Sequence, residues 1–269
     1  MNDIQIIDLT PDNIADYGVC GYKDINKHTE LRNKILWFKK YYPKGLRIKI
    51  IYSKKGGYQG MLEYIPGKYA HRPVEAAGYM FIHCVFVGFK SEFKSKGHAS
   101  ALIDECIKEA KEKGMMGVAV VTRKGPFMVD DSIFLKKGFT TADKASPDFS
   151  LLVKKIDSKS ASPSFKTGTA SNLSKYNSKE ITILRSPQCP YTEKNVNAII
   201  ATAKKMKLKT ELVDLPDAAA VQNSPCAFGS FCLICNGEII SHHPISNTRF
   251  ENIIKKGGMK NSKPGNSFR

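Results

Sequence analysis

The chain has no run of about 20 apolar residues, the length a membrane-spanning helix requires, and its first residues, Met1-Asn2-Asp3-Ile4-Gln5, lack the basic and apolar regions of a secretory leader. Neither a membrane partner nor secretion is therefore expected. Acidic residues are scarce, with 25 Asp and Glu against 42 Lys and Arg, for a net charge of +17. Such an excess favours polyanions, but no nucleic-acid-binding motif accompanies it. The basic residues are spread along the chain, often as Lys-Lys pairs, and both halves share the surplus: 26 against 18 over residues 1–157, and 16 against 7 over 158–269. That spread reads as solvated surface, so a nucleic-acid partner is not expected. Cysteine is odd in number, seven at scattered spacing, which argues against a disulfide framework and for a reducing cytoplasm. Internal repeats are absent. At 269 residues with ordinary apolar content, the chain is long enough for two modest domains, each with its own core.

The first half alternates strand and helix signals. Residues 4–9 read as a strand and Thr10-Pro11 as a helix start. Leu31, Ile35, Phe38 and Tyr42 recur at helical spacing, and Pro43 with Gly45 ends that helix. Strands at 47–52 and 58–65 flank a turn containing Gly56-Gly57, and a long apolar strand follows at 79–89. Leu102, Ile103, Cys106 and Ala110 then mark an amphipathic helix ending at Gly114, and 118–121 reads as a buried strand. The order predicts an α/β domain on a mixed sheet.

Between the long strand and that helix lies Lys94-Ser95-Lys96-Gly97-His98-Ala99, with Ser100 next. A basic, glycine-containing turn that opens a helix presents free backbone N–H groups and the positive end of the helix dipole, which suits a pyrophosphate. Lys94 and Lys96 add flexible positive charge. Coenzyme A has the matching layout: a diphosphate, then an amide-rich arm able to pair with a strand edge at Val85, Phe86 and Val87. Backbone N–H groups over 84–88 are candidates to polarise a thioester carbonyl.

These residues resemble the GNAT acetyltransferase superfamily, whose pattern at the end of its fourth strand is Arg/Gln-x-x-Gly-x-Gly/Ala. Lys94 stands in place of Arg/Gln, with Gly97 and Ala99 in register. Residues 133–139 resemble the family's last helix and its Gly-Phe corner. A tyrosine that protonates the departing CoA thiolate often lies four residues before that glycine; here the position is Phe134. The resemblance covers roughly residues 1–156. It implies an acetyl-CoA-dependent N-acetyltransferase with acetyl-CoA as cosubstrate. For proton transfer, His83 on the central strand is the candidate base, titrating near neutrality, and Tyr79 and Tyr64 are candidate acids.

After Ile156 the composition changes. Residues 158–179 are rich in Ser with no apolar periodicity and read as a linker, along which Phe165 and Tyr176 are placed to dock. A strand at 181–185 leads to Gln188-Cys189-Pro190-Tyr191-Thr192 and a helix bearing Val196, Ile199, Ile200, Ala203 and Met206 on one face. Cys189 at a helix start is expected to have a depressed pKa. A strand at 211–215, a hairpin turning at Asn236-Gly237 and a helix from near Asn247 complete this half. The order resembles a thioredoxin-like domain, with Cys189-Pro190-Tyr191-Thr192 similar to the glutaredoxin Cys-Pro-Tyr-Cys motif lacking its second cysteine. That resemblance makes Pro225 a candidate cis-proline and Cys226 a candidate resolving thiol. Cys232 and Cys235, at i and i+3 of a strand, face opposite sides, and His242 and His243 point apart, so no metal site is expected.

A GNAT domain joined to this module resembles the bacterial YoaP-like acetyltransferases. The expected organisation is a GNAT mixed-sheet α/β domain at 1–157, the linker at 158–179, a smaller thioredoxin-like α/β domain at 180–257 and a basic tail at 258–269. The expected function is acyl transfer to a small-molecule or peptide amine, with catalytic candidates His83, Tyr79 and Cys189. The alternatives are a thiol oxidoreductase or thiol-ligand binder centred on Cys189, or a non-catalytic CoA-binding regulator. The sequence does not identify the acceptor or the oligomeric state.

Overall fold

A computed structural model describes residues 4–22, 24–88, 90–176 and 180–257. The expected tail at 258–269 lies outside the described residues, as do 177–179 of the linker and Phe89 of the long strand.

Eight strands and four helices build the first half. They are β1 (Ile4–Asp8), α1 (Ile14–Tyr17), α2 (Thr29–Tyr41), β2 (Arg47–Ser53), β3 (Gly57–Pro66), β4 (Val74–Glu75), β5 (Tyr79–Val87), α3 (His98–Glu112), β6 (Gly117–Thr122), α4 (Ser132–Lys136), β7 (Thr140–Ala145) and β8 (Phe149–Lys155). Seven strands form one mixed sheet in the order β1-β2-β3-β5-β6-β8-β7, antiparallel throughout except for the parallel pair β5/β6. Strand alternation assigns its faces. Met80, Ile82, Val118, Val120 and Leu152 point to α3, which inserts Leu102, Ile103, Cys106 and Ala110. Phe81, Ala119, Val121 and Leu151 point the other way. On that second face, α2 covers the β2/β3 end with Leu31, Ile35 and Phe38. Helix α2 stops where Pro43 enters a short 3-10 turn and Gly45 takes φ +95°.

The second half contributes β9 (Ser164–Phe165), β10 (Ile181–Arg185), α5 (Pro190–Lys205), β11 (Thr210–Asp214), α6 (Ala218–Gln222), β12 (Phe231–Cys235), β13 (Glu238–Ser241) and α7 (Asn247–Lys256). Its four-stranded sheet runs β11-β10-β12-β13, with β10/β11 parallel and the others antiparallel. β9 pairs with β4, so the serine-rich segment is anchored by the buried Phe165.

Two expectations need correction. The halves do not have separate cores: Phe81, Val121 and Leu151 share one apolar cluster with Ile183, Phe231 and Leu233. Among the described residues, the β5/β6/β8 face opposite α3 packs Phe81, Val121 and Leu151 against the second half. The interface is also polar. Asn33 Nδ2 donates to Glu193 Oε2 (2.8 Å), the Ala218 N–H to the Tyr41 hydroxyl (2.9 Å), and Gln222 Nε2 to the carbonyls of Lys68 and Ala70 (3.1 Å each). Pro225 is not a cis-proline; among the described residues the cis peptide is Ser146-Pro147. Residues 226–230 carry the chain from Pro225 to β12, so Pro225 does not abut the strand directly.

Candidate active site

β5 and β6 pair only over Tyr79–Ile82 and 117–120. Beyond that point β5 continues to Val87 held by β3 alone, while the last residues of β6 are held by β8 alone. The sheet therefore splays, and among the described residues no strand pairs the second edge of β5 over 84–87. A bulge marks the divergence: Glu63 faces Cys84 and Tyr64 faces Ile82, so His83 is the extra residue. A cavity of about 460 Å³ fills the wedge. Its walls include Val85, Phe86 and Val87 from β5, Val121 from β6, Phe127 and Met128 from the following loop, and Cys189 and Tyr191 from the second half.

The chain then turns at Gly88 (φ +103°), whose N–H bonds Gln59 O at 2.9 Å. The Lys94 stem crosses Gly88 so closely that a Cβ there would sit 2.5 Å from Lys94 Cγ. Ser95 (φ +56°) and Gly97 (φ +80°) bend the backbone into α3. The first helical bond runs from the Ala101 N–H to Gly97 O (2.9 Å), and the N–H groups of His98, Ala99 and Ser100 have no partner among the described residues. A Cβ on Gly97 would meet nothing within 4 Å. Lys94 and Lys96 are exposed and make no ion pair among the described residues. The Lys94 stem thus brings the predicted anion turn against the end of the predicted strand edge at Gly88.

His83 lines the cavity but both of its ring nitrogens are already bonded, and Tyr79 does not line it. His83 Nε2 accepts the His71 N–H at 2.8 Å, which requires Nδ1 to carry the proton it donates to Glu63 Oε1 (3.0 Å). Burial lowers its pKa, against the pull of Glu63, so it does not titrate near neutrality as expected. Tyr79 donates its hydroxyl to Ala161 O (2.7 Å) and contacts Ser160 Oγ (2.9 Å), inside the core. Tyr64 bonds Glu109, and burial with that carboxylate raises its pKa far above the ordinary phenol value.

A buried cluster accounts for His83, and the sequence reading missed it. Glu63 also pairs with Lys34 Nζ and accepts Gln188 Nε2 at 2.8 Å. Lys34 donates to Gln188 O (2.6 Å) and lies over the Trp37 ring at 4.1 Å. Arg72 reaches the carbonyls of His71 (2.7 Å) and His83 (3.3 Å). Burial alone would raise the Glu63 carboxyl, but Lys34 and the His83 hydrogen bond hold it down at about 2. The cluster ties α2, β3 and β5 to the loop before α5.

Cys189 lies where the sequence placed it, at the N-cap of α5 with Pro190 at the first position. Its pKa direction is the reverse of the expectation. Burial raises it, outweighing the Lys34 charge and the N–H groups of Tyr191 and Thr192. The thiol lowered instead is Cys226: burial opposes, but the hydrogen bonds of Cys232 and His242 prevail, with Sγ 3.1 Å from His242 Nδ1. Cys226 thus finds its partners in Cys232 and His242, and all seven cysteines are free. His243 turns instead to Arg123, and among the described residues no group of three or more His, Cys, Asp or Glu side chains is placed to hold a metal.

Phe134 is fully buried and packs edge-on to Phe139 with centroids 5.2 Å apart. Phe134→Tyr is therefore expected to lower stability by about 1–3 kcal/mol, since the added hydroxyl enters an apolar, filled site. Urea denaturation measures this; an unchanged midpoint would refute the packing argument.

A splayed mixed sheet followed by a helix that opens on a basic, glycine-containing turn, joined to a smaller four-stranded unit, defines a two-sheet α/β protein. The YoaP-like family model matches residues 210–252. The uncharacterized N-acetyltransferase YoaP of Bacillus subtilis (strain 168) is 30% identical over 251 residues, spanning 92% of this chain and 97% of that protein. The chain belongs to the YoaP-like N-acetyltransferase family. Similar solved structures include a PaiA N-acetyltransferase from Thermoplasma acidophilum in complex with coenzyme A (18% identity, TM-score 0.39, covering 57% of this chain and 99% of that one). Another is YncA, a putative acetyltransferase from Salmonella typhimurium with acetyl-CoA (13% identity, TM-score 0.43, covering 60% and 98%).

Proposed function

We propose that the protein transfers an acetyl group from acetyl-CoA to an amine, with the diphosphate on the N–H groups of residues 98–100 and the pantetheine arm along β5 at Val85, Phe86 and Val87. One observation supports this reading: no described strand pairs the outer edge of β5 beyond Ile82, and the Lys94 stem that crosses Gly88 brings that end of the strand beside the turn opening α3. Lys94, Ser95, Lys96 and Gly97 supply the remainder of the anion seat. The N–H groups of the free β5 edge supply donors to a thioester carbonyl.

The acceptor enters from the side of Phe127, Met128 and Tyr191. Among the described residues no Asp or Glu lines the cavity to hold an ammonium group, which suits an amine that must be neutral to attack. A polycationic acceptor does not suit such walls.

The second half is read as a thioredoxin-like module that completes the acceptor end of the cleft, with boundaries near 158 and 180. Its strand order, with β10-α5-β11 parallel and β12/β13 as a hairpin, supports that reading, as does a cysteine at the start of α5. Seven free thiols support a reducing compartment, and no described helix is long and apolar enough to cross a membrane.

Titration calorimetry tests the central claim. Acetyl-CoA should bind with micromolar affinity and acetyl-pantetheine, which lacks the diphosphate, at least tenfold more weakly. Equal affinities, or no heat with acetyl-CoA, would remove it.

A further inference from the structure

The cavity in the wedge of the sheet has walls without charge. Among the described residues that line it, none is Lys, Arg, Asp or Glu, and the side-chain nitrogen and oxygen atoms there belong to His83 and Tyr191. Those atoms are engaged: His83 has both nitrogens bonded, and Tyr191 donates its hydroxyl to Cys20 O at 2.8 Å. Cys20, Cys84 and Cys189 also reach the cavity. Burial pushes all three thiols up, Cys84 to about 12, so they stand protonated at neutral pH. The walls therefore offer no side chain to take a proton from an ammonium group and none to hold that ammonium.

Aromatic rings converge on the same cavity from separate elements: Phe86 from β5, Tyr191 from α5 and Phe127 from the loop after β6. The Tyr191 ring is fixed by its hydroxyl bond and by packing on Tyr22, with centroids 5.2 Å apart. Phe127 is held differently. It is 44% exposed, and its backbone sits at φ +64°, a left-handed conformation that a bulky side chain rarely adopts. The loop that carries it is closed at its base, where the Arg123 N–H donates to Val129 O (3.2 Å). Backbone strain that keeps an apolar ring partly in water, at the mouth of a cavity, is the pattern of a ligand contact rather than of core packing.

We propose that the acceptor is a weakly basic aromatic amine, with its amino group borne on the ring, and that the ring packs on Phe127 and Tyr191 while the nitrogen meets the thioester carbonyl. This deepens the acetyl-CoA reading above and rests on it. An amine of this class is already neutral near pH 7, so its attack needs no base beforehand, and a flat apolar body suits walls without charge. In the reaction the nitrogen lone pair forms the N–C bond and the carbon–sulfur bond to CoA breaks. One N–H proton passes to the departing sulfur, so the products are the N-acetylated ring amine and free coenzyme A. Attack leaves the nitrogen positive and strongly acidic, and that acidity supplies the thiolate with its proton where the buried Phe134 has none to give.

The test follows CoA release from acetyl-CoA by the full-length protein with para-toluidine, phenethylamine and spermidine as acceptors. Acetyl-CoA binding is measured on the same samples by calorimetry. The kcat/KM for para-toluidine should exceed that for spermidine by about 100-fold or more. Phenethylamine should lie between them and gain about tenfold per pH unit from about pH 7 to 9, as its neutral fraction does. Phe127→Gly removes the ring and suits the positive φ, so the fold is kept. It should raise KM for para-toluidine about tenfold or more, with kcat within a few-fold and acetyl-CoA affinity unchanged, and Phe127→Tyr should keep the wild-type KM. Acetyl-CoA binding without turnover of para-toluidine, turnover that favours spermidine, or a wild-type KM in Phe127→Gly would overturn the aromatic acceptor and leave the transferase reading intact. Absence of acetyl-CoA binding would overturn both.

Discussion

Replacing Glu63 by alanine is expected to cost about 3–5 kcal/mol, because it strands a buried cation. Lys34 and Glu63 are both fully buried, and Arg72 adds a second positive charge within the same cluster. Without the carboxylate, His83 Nδ1 and Gln188 Nε2 also lose their acceptor. That loss is a large share of the roughly 5–15 kcal/mol that keeps a domain folded. Urea denaturation should show it as a large fall in midpoint, and a fall worth less than about 1 kcal/mol would sink the argument. The double variant Lys34→Met with Glu63→Leu should recover part of the loss, since removing both charges also removes their desolvation. Full recovery is not expected while His83 and Gln188 remain without an acceptor.

The same carboxylate predicts a pH dependence. Its folded pKa, about 2, lies below the ordinary 4.5, so its stabilisation is present above the ordinary value and is lost as pH falls through the folded one. Wild-type stability should therefore decline between about pH 4.5 and 2, by an amount on the order of 3 kcal/mol. Glu63→Gln should lack that component of the slope.

This cluster also shows where sequence reasoning stopped. The elements were legible because each obeys one period: Leu31, Ile35 and Phe38 at helical spacing, and the unbroken apolar run of β6. The glycine turn that opens α3 was legible because Gly97, close to Lys94 and Lys96, follows a buried strand and precedes an amphipathic run, and the structure places Gly97 at the helix N-cap with φ +80°. Lys34 interrupts the apolar stripe of α2, and Glu63 interrupts the run Met61-Leu62-Glu63-Tyr64-Ile65. Opposite charges at two core positions are a pairing signal, but nothing local says that they meet. His83 misled for the same reason: its spacing shows that it is inside, not that His71 and Glu63 occupy both nitrogens. The Cys189 pKa went the wrong way because the helix-end effect is local, whereas the burial that outweighs it is set by tertiary packing that spacing does not reveal.

The second large effect is expected at the anion turn. Gly97→Glu places a carboxylate beside the N–H groups of residues 98–100, which would otherwise take the diphosphate. With no atom within 4 Å of a Cβ at this position, the chain accepts a side chain without collision. The φ of +80° costs an L-residue about 1–2 kcal/mol, and the new carboxylate at the helix N-terminus returns part of that. The fold should persist while the ligand meets a like charge already seated on its donors. Acetyl-CoA affinity should drop at least 100-fold, about 2.8 kcal/mol, by titration calorimetry. Gly97→Ala separates the causes, since it carries the same backbone strain with no charge and should bind within a few-fold of wild type. Lys96→Glu changes charge only at the exposed rim and should lose less than Gly97→Glu, with a loss that shrinks as salt is raised. If Gly97→Glu bound acetyl-CoA as wild type does, the diphosphate would have to rest elsewhere, and the direction assigned to the pantetheine arm along β5 would fall with it.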